Sequence, residues 1–357
     1  MDIMEILKVS SKSNPSKVAG AIANIFRNNK GGFMKEKWDL FNKNGKLYGY
    51  NTDYYGFLKV LEENFNIEEL ISQNVLLMGT GGASKAVSEA LINKNIPYKQ
   101  VSRKKGYDYL YSEVSDITFD LAINATPVGV YPNIKDKLEI KAKSIIDLIY
   151  NPLRTRLFID SCENGVTGLD MLIYQAMEAY KLFTLSDAKD FEEIKKFLLS
   201  KTKNIVLIGL PGSGKSTIGI NLSTRLNKKY IDSDEVISKN YNIDEVFALF
   251  GEKKFREIES KVIEDICLEK NSIIATGGGV ILKEENMKLL KANGIIIYLK
   301  RSIDAIMSDL KERPLTKSKD DLIKLELERK AYYEKYADIV IENKEIDKTV
   351  EEIISLL

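Results

Sequence analysis

The residues best suited to chemistry stand in one glycine-rich stretch, residues 205–219, which reads IVLIGLPGSGKSTIG. It matches the pattern G-x-x-x-x-G-K-[ST] from Gly209 to Ser216, where a predicted buried strand is followed by a predicted helix. In such a loop the backbone N–H groups surround nucleotide phosphates, the lysine neutralises the transferring phosphoryl group and the hydroxyl ligates Mg²⁺. The stretch therefore predicts phosphoryl transfer from ATP without identifying the acceptor. The predicted ATP-binding residues of the loop are Gly212, Ser213, Gly214, Lys215, Ser216 and Thr217.

Charged residues elsewhere in the second half could hold the acceptor. In YIDSDEV, at the end of the next predicted strand, Asp232 and Asp234 are two residues apart and are expected on the same side of the chain. Carboxylates there can accept hydrogen bonds from sugar-like hydroxyls or orient metal-bound water, although either aspartate could simply cap a helix. In GEKKFREIES, Arg256 and Glu259 lie three residues apart on one helix face, where an ordinary ion pair is the alternative.

A run of glycines and a basic loop complete this set of motifs. ATGGGVIL places Gly277, Gly278 and Gly279 at the end of a predicted strand, where a missing side chain lets a ligand touch the backbone. ERPLTKSKDD is polar and rich in lysine, which suits a lid that carries Arg313 over the phosphates.

Over residues 203–357 the sequence closely resembles the shikimate kinases. The motifs of that family occur here in the family's order, as GLPGSGKST, DSD, GEKKFREIE, GGG, RPL and RKAYYEKYAD. The resemblance implies ATP- and Mg²⁺-dependent phosphorylation of the 3-hydroxyl of shikimate, a step of chorismate and aromatic amino acid biosynthesis. It also implies a P-loop parallel-sheet domain of the nucleoside monophosphate kinase type.

The resemblance assigns roles to individual residues. Arg256 and Arg329 would bind the shikimate carboxylate, Asp234 would orient the 3-hydroxyl, and Arg313 would contact ATP. The implied catalytic residues are Lys215, Asp234 and Arg313, and the implied metal site is Ser216 with Asp232 nearby. The implied shikimate-binding residues are Asp234, Arg256, Gly277, Gly278, Gly279 and Arg329.

The chain contains no histidine, which excludes several kinds of active site. Serine–histidine triads, histidine-ligated zinc and histidine general bases are ruled out, so proton transfer must use carboxylate, lysine or water. Gluconate kinases use an acceptor motif that contains histidine, which this chain cannot supply. Nucleotide kinases seldom combine FRxxE with GGG, so a different acceptor is the less favoured alternative.

In the first half, VLLMGTGGASKA (75–86) predicts a strand, a glycine turn and the start of a helix. The next predicted strand ends in VSRKK (101–105), which has no acidic residue for a ribose 2′-hydroxyl and three basic residues for a 2′-phosphate, so NADP is preferred over NAD. A solvated basic surface is the alternative for this run. The predicted NADP-binding residues of these two segments are Gly79, Thr80, Gly81, Gly82, Ala83, Ser102, Arg103 and Lys104.

From about Ser16 to Phe183 the sequence resembles shikimate dehydrogenase, a family with a Rossmann-type domain. The matching segments are GYNTDYYGF, NATPVGVYP, DLIYNPLRTRL and GLDMLIYQAMEAY. The resemblance implies that Asp53 is the aspartate of the catalytic pair and that Tyr150 and Gln175 lie at the substrate. It also implies that Leu148 and Gly168, with Tyr150, line the nicotinamide and substrate region, which adds Leu148 and Gly168 to the expected NADP-binding residues. As alternatives, Asp53 could cap the following helix and Gln175 could be an ordinary amide on a helix face.

The first half also departs from the dehydrogenase pattern. The family's S-x-S pair and catalytic lysine have no counterparts in the right context, and Ala23 stands where the family has a substrate asparagine. Shikimate dehydrogenation is therefore expected to be weak or absent because of truncation, and a start codon placed too far downstream would explain the missing segment equally well. Two alternatives are a fully bifunctional enzyme for consecutive steps and a kinase carrying a non-catalytic NADP-binding regulatory module.

The elements that must position these residues alternate between short apolar runs and longer amphipathic ones, which predicts a parallel α/β architecture. Strands are expected at 74–80, 98–103, 120–126, 144–150, 204–209, 228–234, 272–278, 294–300 and 337–342, and helices at 83–94 and 168–183. The charged segment 184–203 is interpreted as a terminal helix plus linker, which separates a domain at 1–200 from one at 203–357.

Composition limits the remaining possibilities. The net charge is +1 over 357 residues, which gives no reason to expect nucleic acid or an anionic membrane as a partner. No apolar run approaches the ~20 residues of a membrane span, and Cys162 and Cys267 form no metal or redox pattern. A cytoplasmic enzyme acting on small molecules is expected, and the sequence does not predict its oligomeric state.

Overall fold

A computed structural model describes residues 39–43, 46–161, 164–188, 190–309 and 318–357. The chain divides into two compact units, Met1–Leu198 and Leu199–Leu357. Arg313 and Ala23, which the sequence analysis singled out, lie outside the described residues.

The first unit is built on a six-stranded parallel sheet with the order β5-β4-β3-β6-β7-β8, which is the 3-2-1-4-5-6 order of a Rossmann fold. A separate antiparallel hairpin, β1–β2, precedes it. The strands are β1 (Asp39–Lys43), β2 (Lys46–Tyr50), β3 (Val75–Met78), β4 (Tyr98–Ser102), β5 (Tyr109–Leu110), β6 (Thr118–Asn124), β7 (Lys141–Asp147) and β8 (Asn164–Thr167). The helices are α1 (Thr52–Asn64), α2 (Ile67–Leu70), α3 (Gly82–Asn93), α4 (Arg156–Ser161) and α5 (Gly168–Thr184). Helix α6 (Phe191–Thr202) includes the sequence boundary between the two units.

Both faces of this sheet are buried, which explains why strand β3 reads as an unbroken apolar run. Val75 and Leu77 belong to one hydrophobic cluster, whereas Leu76 and Met78 belong to a second cluster. Successive side chains of a strand point to opposite faces, so the two clusters lie on the two sides of the sheet. The glycine turn that follows Met78 is thereby fixed at the carboxyl end of a central strand.

The second unit contains a five-stranded parallel sheet with the order β10-β11-β9-β12-β13. Its strands are β9 (Asn204–Ile208), β10 (Lys229–Asp232), β11 (Ser272–Ala275), β12 (Gly294–Lys300) and β13 (Ile339–Glu342). Its helices are α7 (Lys215–Leu226), α8 (Ser233–Ser238), α9 (Ile243–Ile266, kinked at Gly251), α10 (Glu284–Asn293), α11 (Ile303–Asp309), α12 (Lys319–Tyr336) and α13 (Ile346–Leu356). Because β9, β10 and β11 are parallel neighbours, the phosphate loop, the aspartates and the glycine run all emerge at one edge of the sheet.

The α/β fold class predicted from the sequence is confirmed. The expected strands at 144–150 and 272–278 end earlier, at Asp147 and Ala275, and the prediction for a third segment is wrong in a way that affects the site. The segment 228–234 was expected to be strand throughout, with Asp232 and Asp234 on one side of it. Strand β10 instead ends at Asp232, and Asp234 lies in the first turn of helix α8. The strand stops because the Asp232 carboxylate accepts a hydrogen bond from the Asp234 N–H at 3.0 Å and so caps the helix.

None of the helices among the described residues combines the length and the apolar character that crossing a bilayer requires.

Candidate active site

The phosphate loop joins β9 to α7 and depends on glycines with left-handed backbone conformations. Gly212 and Gly214 have φ angles of 82° and 93°, which other residues adopt only with strain. The buried Lys215 turns back over the loop, and its Nζ atom donates to the carbonyl oxygens of Gly209 and Leu210 at 2.9 Å each. The ammonium group is thereby held over the concave side of the loop, where nucleotide phosphates bind in loops of this type.

Asn343, which directly follows strand β13, braces the loop. Its Nδ2 atom donates to the Ser213 carbonyl at 2.8 Å, and its Oδ1 atom accepts from the Thr349 hydroxyl at 3.2 Å. A Cβ atom on Gly214 would come within 2.3 Å of the Asn343 amide, so only glycine fits there. The shape of the phosphate loop therefore depends on a residue that follows strand β13 as well as on the loop's own sequence.

Three oxygen-bearing side chains meet beside the loop. The Ser216 hydroxyl donates to Asp232 Oδ2 at 2.8 Å, and the Tyr230 hydroxyl donates to the same oxygen at 3.0 Å. Burial is the main reason that the pKa of Tyr230 is raised, so this phenol stays protonated and remains a donor. Among the described residues no group of three or more acidic, cysteine or histidine side chains could hold a metal ion alone. A hydroxyl and one carboxylate fit Mg²⁺, which is usually held by one or two carboxylates together with substrate phosphates.

The glycine run after β11 is required for space. A Cβ atom on Gly277 would lie 2.7 Å from Asp234 Oδ1 and 3.0 Å from Glu259 Oε1. One on Gly278 would lie 2.9 Å from Pro211 of the phosphate loop, and one on Gly279 would lie 2.2 Å from Arg256. Two acidic side chains, the phosphate loop and a guanidinium group therefore all approach the backbone of this one turn.

Arg256 is held between two glutamates on helix α9. Its Nη1 atom donates to Glu259 at 2.8 Å, and its Nη2 atom donates to Glu252 at 2.9 Å. Burial on its own would lower the pKa of Arg256, but the two carboxylates have the larger combined effect and raise it. Glu259 is only 1% exposed, and burial raises the pKa of its carboxyl group despite the opposing effect of Arg256. Its Oε1 atom has no hydrogen-bond partner among the described residues.

Arg329, on helix α12, reaches the same turn from the other side. It is 7% exposed, and its Nη1 atom donates to the Gly278 carbonyl at 3.0 Å. The hydroxyl of Tyr333, one turn further along α12, donates to the same carbonyl at 2.5 Å. In the described part of the chain no carboxylate lies within the 4.0 Å ion-pair distance of Arg329, which distinguishes it from Arg256.

These residues surround a single cavity of about 1120 Å³. The predicted site residues that line it are Gly212, Gly214, Lys215, Ser216, Thr217, Asp232, Asp234, Arg256, Gly277, Gly278, Gly279 and Arg329. Ser213 is fully buried beneath the loop instead. The cavity therefore brings the lysine of the phosphate loop and two arginines to one space.

The glycine turn of the first unit has the open geometry that a bound phosphate would need. Gly79 has a φ angle of 105°, and its carbonyl accepts hydrogen bonds from Ser84 and Gln100 at 2.7 Å each. Cβ atoms on Gly81 and Gly82, at the amino terminus of α3, would meet nothing within 4 Å. The hydrogen bonds to the Gly79 carbonyl therefore hold the turn in place, and the space next to Gly81 and Gly82 is open.

A cavity of about 1120 Å³ lies beside this turn. It is lined by Thr80, Gly82 and Ala83 of the turn and by Asp53 in the first turn of α1. The residue that caps α1 is Asn51, whose side chain accepts from the Tyr54 N–H at 3.2 Å. Asp53 therefore is not the capping residue and is placed facing the glycine turn.

The other predicted residues of the first unit are not among those that line this cavity. The buried Ser102 accepts from the Lys104 N–H at 3.1 Å, and Arg103 and Lys104 are exposed beyond the end of β4. A Cβ atom on Gly168 would lie 2.2 Å from the Leu148 carbonyl, so this glycine permits α5 to approach the end of β7.

Two further predicted positions lie apart from the cavity-lining residues. Tyr150 is exposed, and Gln175 uses its amide to donate to the Leu172 carbonyl at 3.0 Å and to accept from Thr52 at 3.4 Å.

Comparison with known proteins identifies the second unit. The family model described as "SKI: Shikimate kinase" matches residues 211–357. The shikimate kinase of Caldicellulosiruptor bescii is 47% identical over 125 residues, which are 34% of this chain and 73% of that protein. The shikimate kinase of Thermodesulfovibrio yellowstonii is 40% identical over 161 residues, which are 43% of this chain and 93% of that protein. The chain belongs to the shikimate kinase family.

Three further matches were found. A solved shikimate kinase from Acinetobacter baumannii in complex with shikimate is 29% identical, with a TM-score of 0.43, covering 45% of this chain and 95% of that one. Shikimate dehydrogenase 1 from Peptoclostridium difficile is 27% identical, with a TM-score of 0.42, covering 55% of this chain and 90% of that one. A model for stage V sporulation protein S matches residues 5–33, outside the described residues.

Sequence reasoning missed several residues of the shikimate kinase site. Asn343 and Tyr333 carry the hydrogen bonds described above, and Arg301 donates to the Gly212 carbonyl at 3.2 Å. The four-residue spacing from Arg329 to Tyr333, which puts both on one helix face, is the one available signal for Tyr333. No local pattern points to Asn343 or Arg301, because each acts on a loop more than 80 residues away.

Proposed function

We propose that the second unit transfers the γ-phosphoryl group of ATP to the 3-hydroxyl of shikimate with the residues of the phosphate-loop cavity described above. Lys215 would hold the transferring group, and Ser216 with Asp232 would hold Mg²⁺. When bound, that ion would supply positive charge to the nucleotide phosphates. Arg313, which lies outside the described residues, is proposed to contact ATP.

The observation that carries the proposal is that Arg329 is buried and makes no ion pair within 4.0 Å among the described residues. A buried arginine is costly unless a counter-charge accompanies it, and the Glu259 carboxylate interacts with Arg329 only from beyond ion-pair distance. The carboxylate of the acceptor would fill that role, with Arg256 as its second contact. Because a planar guanidinium fork matches a planar carboxylate, the two arginines suit this part of shikimate well.

Asp234 is proposed to orient the hydroxyl that receives the phosphoryl group. Its carboxylate lies at the Gly277 turn, in the cavity that Lys215 also lines. The transition state of phosphoryl transfer is loose and needs mainly positioning and charge stabilisation, so an orienting acceptor is sufficient.

The test is a coupled assay of the full chain with ATP, Mg²⁺ and either shikimate or shikimate methyl ester. The ester keeps the ring and hydroxyls but lacks the negative charge. We expect efficient phosphorylation of shikimate and a strongly raised KM for the ester. Equal KM values for the two compounds would refute the carboxylate assignment, and absence of product from shikimate would refute the function.

For the first unit we propose NADP binding at the glycine turn. The Rossmann strand order, the open Gly81 and Gly82, and the exposed Arg103 and Lys104 after β4 all support it. Titration with NADPH and NADH should show tighter NADPH binding, and Arg103→Ala should remove that preference. Equal affinity for both nucleotides would contradict the proposal.

The consequence of that binding can be measured separately. Dehydroshikimate-dependent oxidation of NADPH by the full chain would establish a working dehydrogenase with Asp53 in its catalytic pair. A kinase rate that changes on saturation with NADP, without such oxidation, would establish a regulatory module instead.

A further inference from the structure

One backbone carbonyl in the kinase site accepts two hydrogen bonds from the same helix. The Gly278 oxygen receives the Arg329 guanidinium at 3.0 Å and the Tyr333 hydroxyl at 2.5 Å. Tyr333 is fully buried, and its ring stacks on Tyr298 with a centroid distance of 4.9 Å and an interplanar angle of 16°. The ring is therefore fixed, and its hydroxyl has one position.

Phenylalanine could provide the same stacked ring at residue 333, so the hydroxyl group is what tyrosine contributes beyond it. Burial is the main reason that the pKa of Tyr333 is raised, and the group therefore remains a hydrogen-bond donor. A Cβ atom on Gly278 would lie 2.9 Å from Pro211, so this residue is also close to the phosphate loop. The Gly278 carbonyl is held by a rigid phenol in a closely packed turn.

Arg329 takes its orientation from this carbonyl. One of its N–H groups donates to Gly278, which restricts the orientation of the planar guanidinium and so of its remaining donors. Arg329 also lines the cavity in which the acceptor is proposed to bind. Displacement of the carbonyl would therefore turn the donors that face the acceptor.

We propose that Tyr333 is a positioning residue for the acceptor: its hydroxyl fixes the Gly278 carbonyl, which aims Arg329 at the acceptor's carboxylate. This inference rests on the proposed function, because it takes the acceptor to be a carboxylic acid. Tyr333 does not line the cavity and acts through Arg329.

The test compares Tyr333→Phe with Tyr332→Phe in the full chain. Tyr332 is the adjacent residue, is 42% exposed and does not line the cavity, so it is a matched control. We expect Tyr333→Phe to raise the KM for shikimate about 2- to 13-fold, the factor that one neutral hydrogen bond is worth. The KM for ATP should stay within about twofold of the wild-type value, and Tyr332→Phe should change neither constant.

A double-mutant cycle with Arg329→Met separates positioning from general stability. If Tyr333 acts through Arg329, Tyr333→Phe should leave the KM for shikimate unchanged in the Arg329→Met background. An additive effect, an equal rise in the KM for ATP, or loss of the thermal unfolding transition in Tyr333→Phe would each overturn the proposal. Failure of the wild-type chain to phosphorylate shikimate would instead count against the proposed function.

Discussion

Replacing Arg329 by methionine tests the charge arrangement of the kinase site most directly. Methionine keeps an apolar stem in the buried space and removes only the guanidinium group. Charge-assisted hydrogen bonds contribute about 1.5–3 kcal/mol each, so loss of the bond to the shikimate carboxylate should weaken binding about 13- to 160-fold. The dissociation constant would be measured by isothermal titration calorimetry, with the KM for shikimate as a second reading.

The same change should leave stability intact, because it removes a buried charge that has no carboxylate partner among the described residues. Arg256→Met should behave differently, since Glu259 is 1% exposed and would lose its 2.8 Å ion pair. We expect that loss to lower the free energy of unfolding by about 3 kcal/mol. Adding Glu259→Gln to Arg256→Met should restore much of it.

Shikimate affinity and melting temperature together distinguish the roles of the two arginines. Wild-type affinity for shikimate in Arg329→Met would show that this guanidinium does not meet the carboxylate. A melting temperature that falls as far in Arg329→Met as in Arg256→Met would show that Arg329 has a structural counter-charge.

Three further predictions concern other parts of the chain. Lys215→Met should lower kcat on the order of 1000-fold, because charge on the transferring group is no longer stabilised, while calorimetry shows unchanged shikimate binding; weakened shikimate binding would contradict this. Asn343→Ala removes the hydrogen bond to the Ser213 carbonyl. It should raise the KM for ATP several-fold and lower the free energy of unfolding by about 1–2 kcal/mol. An unchanged KM for ATP would show that the loop keeps its shape without Asn343. Burial raises the pKa of Asp147 from 3.8 to about 6, so its ionisation opposes folding and the stability of the first unit should fall as pH rises through that window. The free energy of unfolding of the wild type, relative to that of Asp147→Asn, should fall by about 3 kcal/mol over this pH range. Denaturant unfolding at several pH values measures it, and a difference that does not depend on pH would refute the raised pKa.

The central strands could be predicted from the sequence because both faces of each sheet are buried. Runs such as NIVLIG and GIIIYLK are apolar throughout, which is typical of parallel strands covered on both sides. Strands β5 and β8 escaped prediction, since Tyr109–Leu110 is too short and Asn164–Thr167 reads NGVT, with one buried residue. Neither has an apolar run to reveal it.

The motif residues of the kinase site were predictable because their chemistry is local. A phosphate loop needs its glycines and lysine in one short stretch, and the glycine run marks a turn that other groups approach closely. The difference between Arg256 and Arg329 was not predictable. The counter-charges of Arg256 lie within one helical turn, whereas the environment of Arg329 is set by Gly278, which is 51 residues away.

The glycine run after β11 has a consequence for the genetics of this enzyme. None of its three residues has a positive φ angle, so the backbone itself would accept alanine at each position. Alanine at Gly277 would press on carboxylates, at Gly278 on Pro211, and at Gly279 on a guanidinium group. Alanine at each of these three neighbouring codons therefore displaces a different group, and a second-site suppressor of one defect should not rescue the other two.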